Sequence, residues 1–285
     1  MKYAVVHAGA AHRDDVLAVG LAIYAGLITL TTRVFRRDPT AEELEDPKVL
    51  VLDVGERHDP SRMCFDHHQL PRGERECALS LLARHLRVKG REPLTFHELW
   101  SDRPWYNFTV GLDSLGPFAM AKELGLENGL PPELNSPFEW VIIDAAGNST
   151  EFDELVKMVA FQVVGGRVED ALKLRDRLAW LKQNAEIQEI DGVKVLLVES
   201  DDTFGLNEHR SSLLADHATE VAISVTHDDR GPGLCLYRFA DHPRVDFSKV
   251  EGDKEVLFAH KGGFIAKTHQ RNMDTARDLI RRSLI

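Results

Sequence analysis

Tyr3-Ala4-Val5-Val6-His7-Ala8-Gly9-Ala10-Ala11-His12-Arg13-Asp14-Asp15 is the stretch whose reading decides the fold. Residues 2–7 read as a short apolar strand of the kind buried on both faces. From residue 12 to 27 the pattern becomes helical, with Val16, Leu17, Val19, Leu21, Ile23 and Tyr24 crowding much of the circumference. A helix so apolar packs against a sheet. Working outward, residues 30–35 form a second strand pattern. Thr40 with Glu43 makes a capping box for a brief acidic helix. Residues 49–54 are apolar throughout, which suits a parallel strand covered on both sides. Strand and helix alternate in this way up to about residue 90, predicting an α/β domain with a doubly wound, mostly parallel sheet.

Helical patterns continue at 78–88, 116–124, 138–146, 152–164 and 168–184. Beyond 184 the texture changes. Residues 193–198 and 221–225 read as strands, and 211–217 as a short helix. Asp228-Asp229-Arg230-Gly231-Pro232-Gly233 is a turn from which 234–239 return, so these strands form a hairpin. Residues 257–265 and a last helix near 273–283 complete a smaller α+β unit. The expected division is therefore 1–185 and 186–285, and 285 residues suit two modest cores.

Composition narrows the function classes. The net charge of −11 argues against a protein that coats long nucleic acid, because such affinity comes from displacing counterions with a basic field. A nucleic-acid substrate should be short, or held locally. No run approaches the roughly 18 apolar residues of a membrane span. The chain enters a strand at once, so no signal peptide is expected and cytoplasmic residence follows. Cys64, Cys77 and Cys235 share no metal-ligand spacing, and so sparse a set fits a reducing compartment.

Three clusters carry chemistry. The first is His7 to Asp15, at the joint of strand and helix. The second is Leu52-Asp53-Val54-Gly55, and the third is Cys64-Phe65-Asp66-His67-His68-Gln69. Open α/β sheets bind ligands at the carboxyl ends of their strands. Two clusters fall at such ends, so His7, His12, Asp14, Asp53, Asp66, His67 and His68 could share one crevice. Mixed imidazole and carboxylate donors suit Mn²⁺, Fe²⁺, Co²⁺ or Zn²⁺ better than Ca²⁺. Two cations about 3.5–4 Å apart would stabilise attacking and leaving oxygens together. Asp53, alone at a strand end, is the natural bridge between them. Taken singly, each feature has a blander account. A strand-end Asp is more often a cap, a His-His pair is more often surface, and Asp14-Asp15 would complement a helix N-terminus. Three acid–histidine clusters in order favour a metal site.

Asp66-His67-His68 resembles the signature triplet of the DHH phosphoesterase superfamily, which includes RecJ-type nucleases, oligoribonucleases and family II inorganic pyrophosphatases. His7-x4-His12-x-Asp14, Asp53-Val54-Gly55-x3-Asp59-Pro60 and Asp66-His67-His68-Gln69 together look like its Myg1 branch, associated with 3′–5′ RNA exonuclease activity. The resemblance implies a DHH-type catalytic domain followed by a DHHA1-like substrate-binding domain. It makes His7, His12, Asp14, Asp53 and His67 metal ligands. His68 would face the scissile phosphate, and Asp66 would orient the histidines or the substrate. A further aspartate is required, and Asp144 supplies it, an acid in the apolar run Trp140-Val141-Ile142-Ile143 where an unpaired charge is costly. The chain departs from the branch there: Gly147 stands where Asp-x-x-Asp-Asn-Gly has its second acid, and Asp15 where Glu is usual.

Further along, His260-Lys261-Gly262-Gly263, with Lys267, resembles the Gly-Gly-Gly-His loop of the second domain of DHH nucleases, although the histidine here precedes the glycines. Such glycines let backbone N–H groups approach an anion. The implied cofactors are two divalent cations, Mn²⁺ first, with Mg²⁺, Co²⁺ and Fe²⁺ as alternatives. The implied partner is a short single-stranded nucleic acid or nucleotide, with no membrane and room for a homodimer. The expected function is metal-dependent 3′–5′ exonucleolytic phosphodiester hydrolysis. The alternatives are a phosphohydrolase acting on a dinucleotide, pyrophosphate or sugar phosphate, and a non-catalytic metal-binding regulator. Trp100, Trp105, Tyr106 and Phe108, in a stretch that reads as a linker, are expected to pack in a core, with base stacking as the alternative.

Overall fold

The computed structural model describes residues 1–71, 73–126, 147 and 149–285. The chain divides into two compact units, Met1–Leu172 and Lys173–Ile285. That division lies inside a long helix, whereas the boundary expected from sequence lies at its end.

The first unit runs β1 (Tyr3–Val6), α1 (Arg13–Tyr24), β2 (Val34–Arg36), α2 (Ala41–Glu45), β3 (Val49–Leu52), β4 (His58–Asp59), β5 (Cys64–Phe65), α3 (Ala78–His85), α4 (Phe96–Trp100), α5 (Pro104–Leu115), α6 (Pro117–Glu123) and α7 (Glu154–Asn184), the last continuing into the second unit. Its sheet has the order β2-β1-β3-β5-β4. The first four strands are parallel and β4 closes one edge antiparallel. The α/β architecture is thus the expected one. Alternation explains why the strands are apolar throughout. Ala4, Val6, Leu50 and Leu52 join the core beneath α1 and α3, while Val5, Val49, Val51 and Cys64 form a second cluster. Each fully buried Val or Leu contributes about 1.5–3 kcal/mol.

Two sequence expectations change here. Residues 152–164 and 168–184 form the single helix α7, which runs through Gly165 and Gly166. Each mid-helix glycine costs about 1 kcal/mol against alanine. A Cβ on Gly165 would sit 3.5 Å from the Tyr24 ring, an ordinary packing distance, so the helix meets α1 here without needing a glycine. The stretch read as a linker contains α4 and α5. Its turn-forming residues are helix starts: Thr95 forms a capping box with Glu98, and Pro104 occupies the first turn of α5. Trp100 and Tyr106 are fully buried in the first core, as expected for packing residues. The helix expected at 138–146 lies outside the described residues.

Close approach of α1 and α7 makes one glycine indispensable. A Cβ on Gly20 would lie 2.5 Å from the carbonyl oxygen of Ala160. Gly20→Ala should therefore destabilise the protein by about 1–3 kcal/mol, the usual cost of overpacking, despite alanine's better helix propensity. A lower urea midpoint at unchanged m-value is the expected reading; an increased midpoint would mean the helices do not meet there.

The second unit adds β6 (Glu186–Ile190), β7 (Val193–Leu197), α8 (Leu206–His217), β8 (Ile223–His227), β9 (Leu234–Arg238), β10 (Val256–Ala259), β11 (Ile265–Thr268) and α9 (Met273–Ser283). Its sheet order is β10-β11-β9-β8-β7-β6, with β7 and β8 parallel and the other pairs antiparallel. One face packs on Ala276, Leu279 and Ile280 of α9. The opposite face meets Leu206 of α8 and Leu181 of α7 through Leu196 and Phe239. Strand β6 was not anticipated, because Glu-Ile-Gln-Glu-Ile carries its charges on an exposed edge, where charge is tolerated. The three cysteines are free. Among the described residues no helix is long and apolar enough to cross a membrane.

Candidate metal centre

Strands β1, β3 and β5 lie side by side and parallel, so their carboxyl ends open on one edge of the sheet. His7 follows β1, Asp53 follows β3, and Asp66-His67-His68 follow β5. The apolar runs fix where each strand stops, and the first polar residue after each stop emerges at that edge. Asp53 adopts a left-handed backbone, φ 57°, with its N–H donating to Phe65 O at 3.0 Å. Asp and Asn tolerate this conformation better than most residues, and such outliers cluster at functional sites.

Donor atoms converge in three overlapping groups, each within 4.8 Å: His7, His12 and Asp53; His12, Asp14 and Asp113; and Asp53, Asp66, His67 and His68. Asp53 and His12 each belong to two groups. The structure therefore brings His7, His12, Asp14, Asp53, Asp66, His67 and His68 together. It also adds Asp113, from the last turn of α5, which sequence reasoning missed. Asp144, the further ligand expected, lies outside the described residues. The signal for Asp113 was the one used for Asp144: a lone acid in an apolar helical run, here Phe108-Thr109-Val110-Gly111-Leu112-Asp113. Reading that segment as a linker hid it.

Charge and burial conflict sharply here. Asp14, Asp15 and Asp53 are at most 1% exposed. Among the described residues, neither carboxylate oxygen of Asp14 or Asp15 has a hydrogen-bond partner, nor do Asp53 Oδ1, Asp113 Oδ2, His67 Nε2 and His7 Nδ1. Leaving buried polar atoms unpaired costs about 1–3 kcal/mol each, more for charged ones. His67 Nε2 lies 2.8 Å from Asp113 Oδ2 and 3.2 Å from Asp53 Oδ1, yet none of the three is aligned for hydrogen bonding. A divalent cation, or a pair, would answer the conflicts at Asp14, Asp53, Asp113, His7 and His67, though not at Asp15, which belongs to none of the three groups, and the donor set fits Mn²⁺-like ions.

The same crowding shifts protonation. Burial raises the pKa of Asp14 well above the usual carboxylate range, and the neighbouring Asp53 and Asp113 push it further. Asp15 is raised by burial and then by Asp53. Burial opposes charge on His67, but the Asp113 and Asp53 carboxylates outweigh it and raise its pKa to about 10. His7, by contrast, is lowered, chiefly by burial. Without metal, then, the folded state holds extra protons at Asp14, Asp15 and His67. Groups raised in this way stabilise the fold at low pH and lose that contribution as pH rises, for His67 between 6.5 and about 10. Cations must displace the same protons to bind. Raising the pH from 6 to 9 should therefore lower the metal-free melting temperature and enlarge the increment produced by Mn²⁺. Calorimetric scans with EDTA and with Mn²⁺ check both signs.

Supporting residues hold the loops in place. Arg36, buried on β2, donates to Gly9 O at 2.7 Å, Gly147 O at 2.6 Å and Ser149 O at 3.1 Å, clamping the loop that carries His7 and His12. Asp66 Oδ2 accepts from the Glu56 N–H at 2.6 Å, while Oδ1 meets His68 Nδ1 at 2.6 Å and accepts the His68 N–H at 3.1 Å. Because a carboxylate only accepts, this places the ring proton on Nδ1 and leaves Nε2 as the free atom of a half-exposed ring. Beside the donors a cavity of about 380 Å³ opens between His12, Arg13 and Asp14 on one side and Leu112, Asp113 and Pro117 on the other.

In the second unit, the loop expected to grip an anion is the tight turn between β10 and β11. Gly262 N–H donates to His260 Nδ1 at 2.9 Å, and Gly263 N–H to His260 O at 2.8 Å. Both amides expected to meet an anion are thus satisfied within the turn. Gly263 has φ 67°, and a Cβ there would collide with Asp246 Oδ1, so packing accounts for this glycine. Lys267 is paired with Asp228, with Asp229 3.5 Å away. His260 and Lys261 remain exposed.

Residues 3–75 match the MYG1_exonuc model, described as an uncharacterised protein family (UPF0160). This is the branch to which the motifs pointed, and the match covers roughly a quarter of the chain. No curated protein matches the sequence significantly. Solved structures similar to this chain include a pGpG-specific phosphodiesterase, PggH, from Vibrio cholerae, at 13% identity and TM-score 0.31, covering 97% of this chain and 95% of that one. Another is the DHH domain of a protein assigned to a family of ribosomal proteins, at 12% identity and TM-score 0.32, covering 99% and 85%. A third is RecJ from Thermus thermophilus in complex with Mg²⁺, at 15% identity and TM-score 0.26, covering 99% of this chain and 49% of that one. Superpositions this loose say nothing about this chain's chemistry.

Proposed function

We propose, from the premise that residues 3–75 match the MYG1_exonuc family, that this protein is a divalent-metal-dependent phosphodiesterase acting on the 3′ end of short single-stranded nucleic acid. The observation that carries the reading is the convergence, around the ends of β1, β3 and β5, of buried aspartates with partly exposed histidines, several of whose side-chain atoms make no hydrogen bond. In this reading His7, His12, Asp14, Asp53, His67 and Asp113 hold two cations, Mn²⁺ foremost. When bound, these supply Lewis acidity and an activated water for in-line displacement at phosphorus. The chain's own residues do the rest. Asp53, shared by two donor groups, spaces the two positions. Asp66 fixes the ring of His68, whose free Nε2 meets the charge developing on a phosphoryl oxygen when that nitrogen carries a proton. The cavity beside Asp113, within the roughly 300–1,000 Å³ of small-ligand sites, receives one terminal nucleotide.

The net charge of −11 fits a short substrate held locally by cations better than a long one held by a basic field. In this reading the protein works in a reducing, cytoplasmic compartment. The deciding experiment incubates the purified protein, with Mn²⁺ or with EDTA, with RNA and DNA oligomers labelled at either end, alongside pyrophosphate and a cyclic dinucleotide. A Mn²⁺-dependent ladder shortening from the 3′ end is expected. Pyrophosphate or dinucleotide turnover with intact oligomers would move the reading to a small-molecule substrate. A metal-loaded protein inert towards all of them would make it a binding module.

A further inference from the structure

Outside the metal centre, the second unit holds a cavity of about 600 Å³, within the roughly 300–1,000 Å³ of small-ligand sites. Strand register sets its floor. Glu186, Leu197 and Val225 form one rung across β6, β7 and β8, and His227 pairs with Leu234 in the next rung across β8 and β9. Alternation sends all five to the face that α9 covers, and Met273, the first residue of that helix, borders the cavity. Strands β7 and β8 are the parallel pair of this sheet, and the cavity lies at their carboxyl ends, where such strands bind ligands.

The two sides of the cavity differ in chemistry. Trp180 and Glu186 stand on the β6 side, since α7 leads straight into that strand. Arg277 donates to Gln188 Oε1 at 3.2 Å, and Gln188 Nε2 donates to Glu186 Oε1 at 2.9 Å. This chain steadies the Glu186 carboxylate, and among the described residues its Oε2 is uncommitted. The half-buried Trp180 ring is capped on one face by the Arg177 guanidinium, 4.3 Å from a ring centroid. Arg271 stands on the β9 side. Thr268 Oγ1 accepts the Leu234 N–H at 2.8 Å and donates to Gln270 O at 2.7 Å, which ties the connection carrying Arg271 to the start of β9. Arg277, Arg281 and Arg282 each lie beside an aspartate, whereas Arg271 has no such partner among the described residues.

Three strand spacings of about 4.8 Å separate β6 from β9, a span that a nucleotide crosses and a free amino acid does not. A ligand that satisfies both sides carries an anion at one end and a flat ring at the other. Because a carboxylate only accepts, that ring has to offer adjacent donors. Guanine does so through N1–H and its 2-amino group. Adenine and cytosine set an acceptor ring nitrogen beside the amino group, and uracil flanks its N–H with two carbonyls. We infer that this cavity binds a guanine mononucleotide, with the base against Trp180 and its donor edge on Glu186, the sugar over Leu197 and Val225, and the phosphate on Arg271. The site lies wholly within the second unit and goes beyond the proposed function, since it needs neither cations nor hydrolysis.

Isothermal titration calorimetry of guanosine monophosphate into the full-length protein, with EDTA present, tests the site. Saturable binding of one nucleotide per chain is expected. Adenosine monophosphate should bind at least about tenfold more weakly, because its edge turns an acceptor towards the carboxylate. Arg271→Gln should weaken guanosine monophosphate by about tenfold, the loss of one charge-assisted hydrogen bond, and leave guanosine unchanged. Glu186→Gln should weaken both guanine ligands and narrow the preference over adenine. Both residues are exposed, and circular dichroism verifies that the variants fold. A folded wild type that takes up no guanosine monophosphate at millimolar concentration, or that binds the adenine nucleotide as tightly, overturns the site. So does binding that survives Arg271→Gln and Glu186→Gln but is lost in Asp53→Asn, which would move the nucleotide to the metal centre. Phosphodiesterase activity without this binding would leave the proposed function standing and remove the nucleotide site, and the reverse outcome would do the opposite.

Discussion

Asp53→Asn is expected to abolish hydrolysis while leaving the fold intact or firmer. Asparagine tolerates the left-handed backbone at this position as well as aspartate does, so the substitution removes charge without adding strain. Its carboxylate belongs to two donor groups, and its loss disables both at once. The transition-state charge stabilisation lost with a metal is several kcal/mol, which corresponds to a rate decrease of about 10³-fold or more. Metal analysis should show less than one ion per chain. Without metal the variant should melt higher than the wild type, because Asp53 adds to the repulsion that raises the pKa of Asp14 and Asp15. With metal the order should reverse, since a ligand at 100 times its Kd stabilises by about 2.7 kcal/mol and the variant forgoes that. Full activity in Asp53→Asn would remove the proposed centre.

Asp113→Asn carries the second large effect. Replacing groups that merely orient a ligand typically costs about 10–100-fold in metal affinity, and a direct ligand should cost at least that. The substitution also removes the nearer of the two carboxylates beside His67 Nε2, so the His67 pKa should fall from its raised value of about 10. Titration of the histidine by NMR in metal-free protein reads this without any activity measurement. Asp144→Asn, studied in parallel, separates the two candidates for the last ligand: the variant that loses metal identifies it. Unchanged metal content and an unchanged His67 titration in Asp113→Asn would exclude that residue.

Part of the candidate site was legible because two of its pieces end apolar runs. Tyr3–Val6 stops at His7, and Val49–Leu52 stops at Asp53. A short strand has one sequence-local end, and parallel pairing of buried strands brings such ends to a common edge. The triplet after Cys64–Phe65 was legible only as a motif, since a strand of two residues has no pattern of its own. Asp113 was hidden because its stretch read as a linker, whereas Thr95 and Pro104 there start helices. The glycine turn at Gly262 and Gly263 misled in the other direction. Glycine shows only that a backbone is unusual or closely approached; here the close neighbour is the Asp246 side chain.

By itself the sequence determined the α/β class, the strand ends bearing His7 and Asp53, and the mixed donor chemistry, because hydrophobic period and residue type are properties of neighbours along the chain. Tertiary structure alone decided that α5 delivers Asp113 to His67, that Lys267 is spent on Asp228, and that Glu186 and Arg271 border one cavity. Those outcomes depend on which distant surfaces pack together, and packing is set by shape and burial over the whole unit, to which no local window of sequence has access.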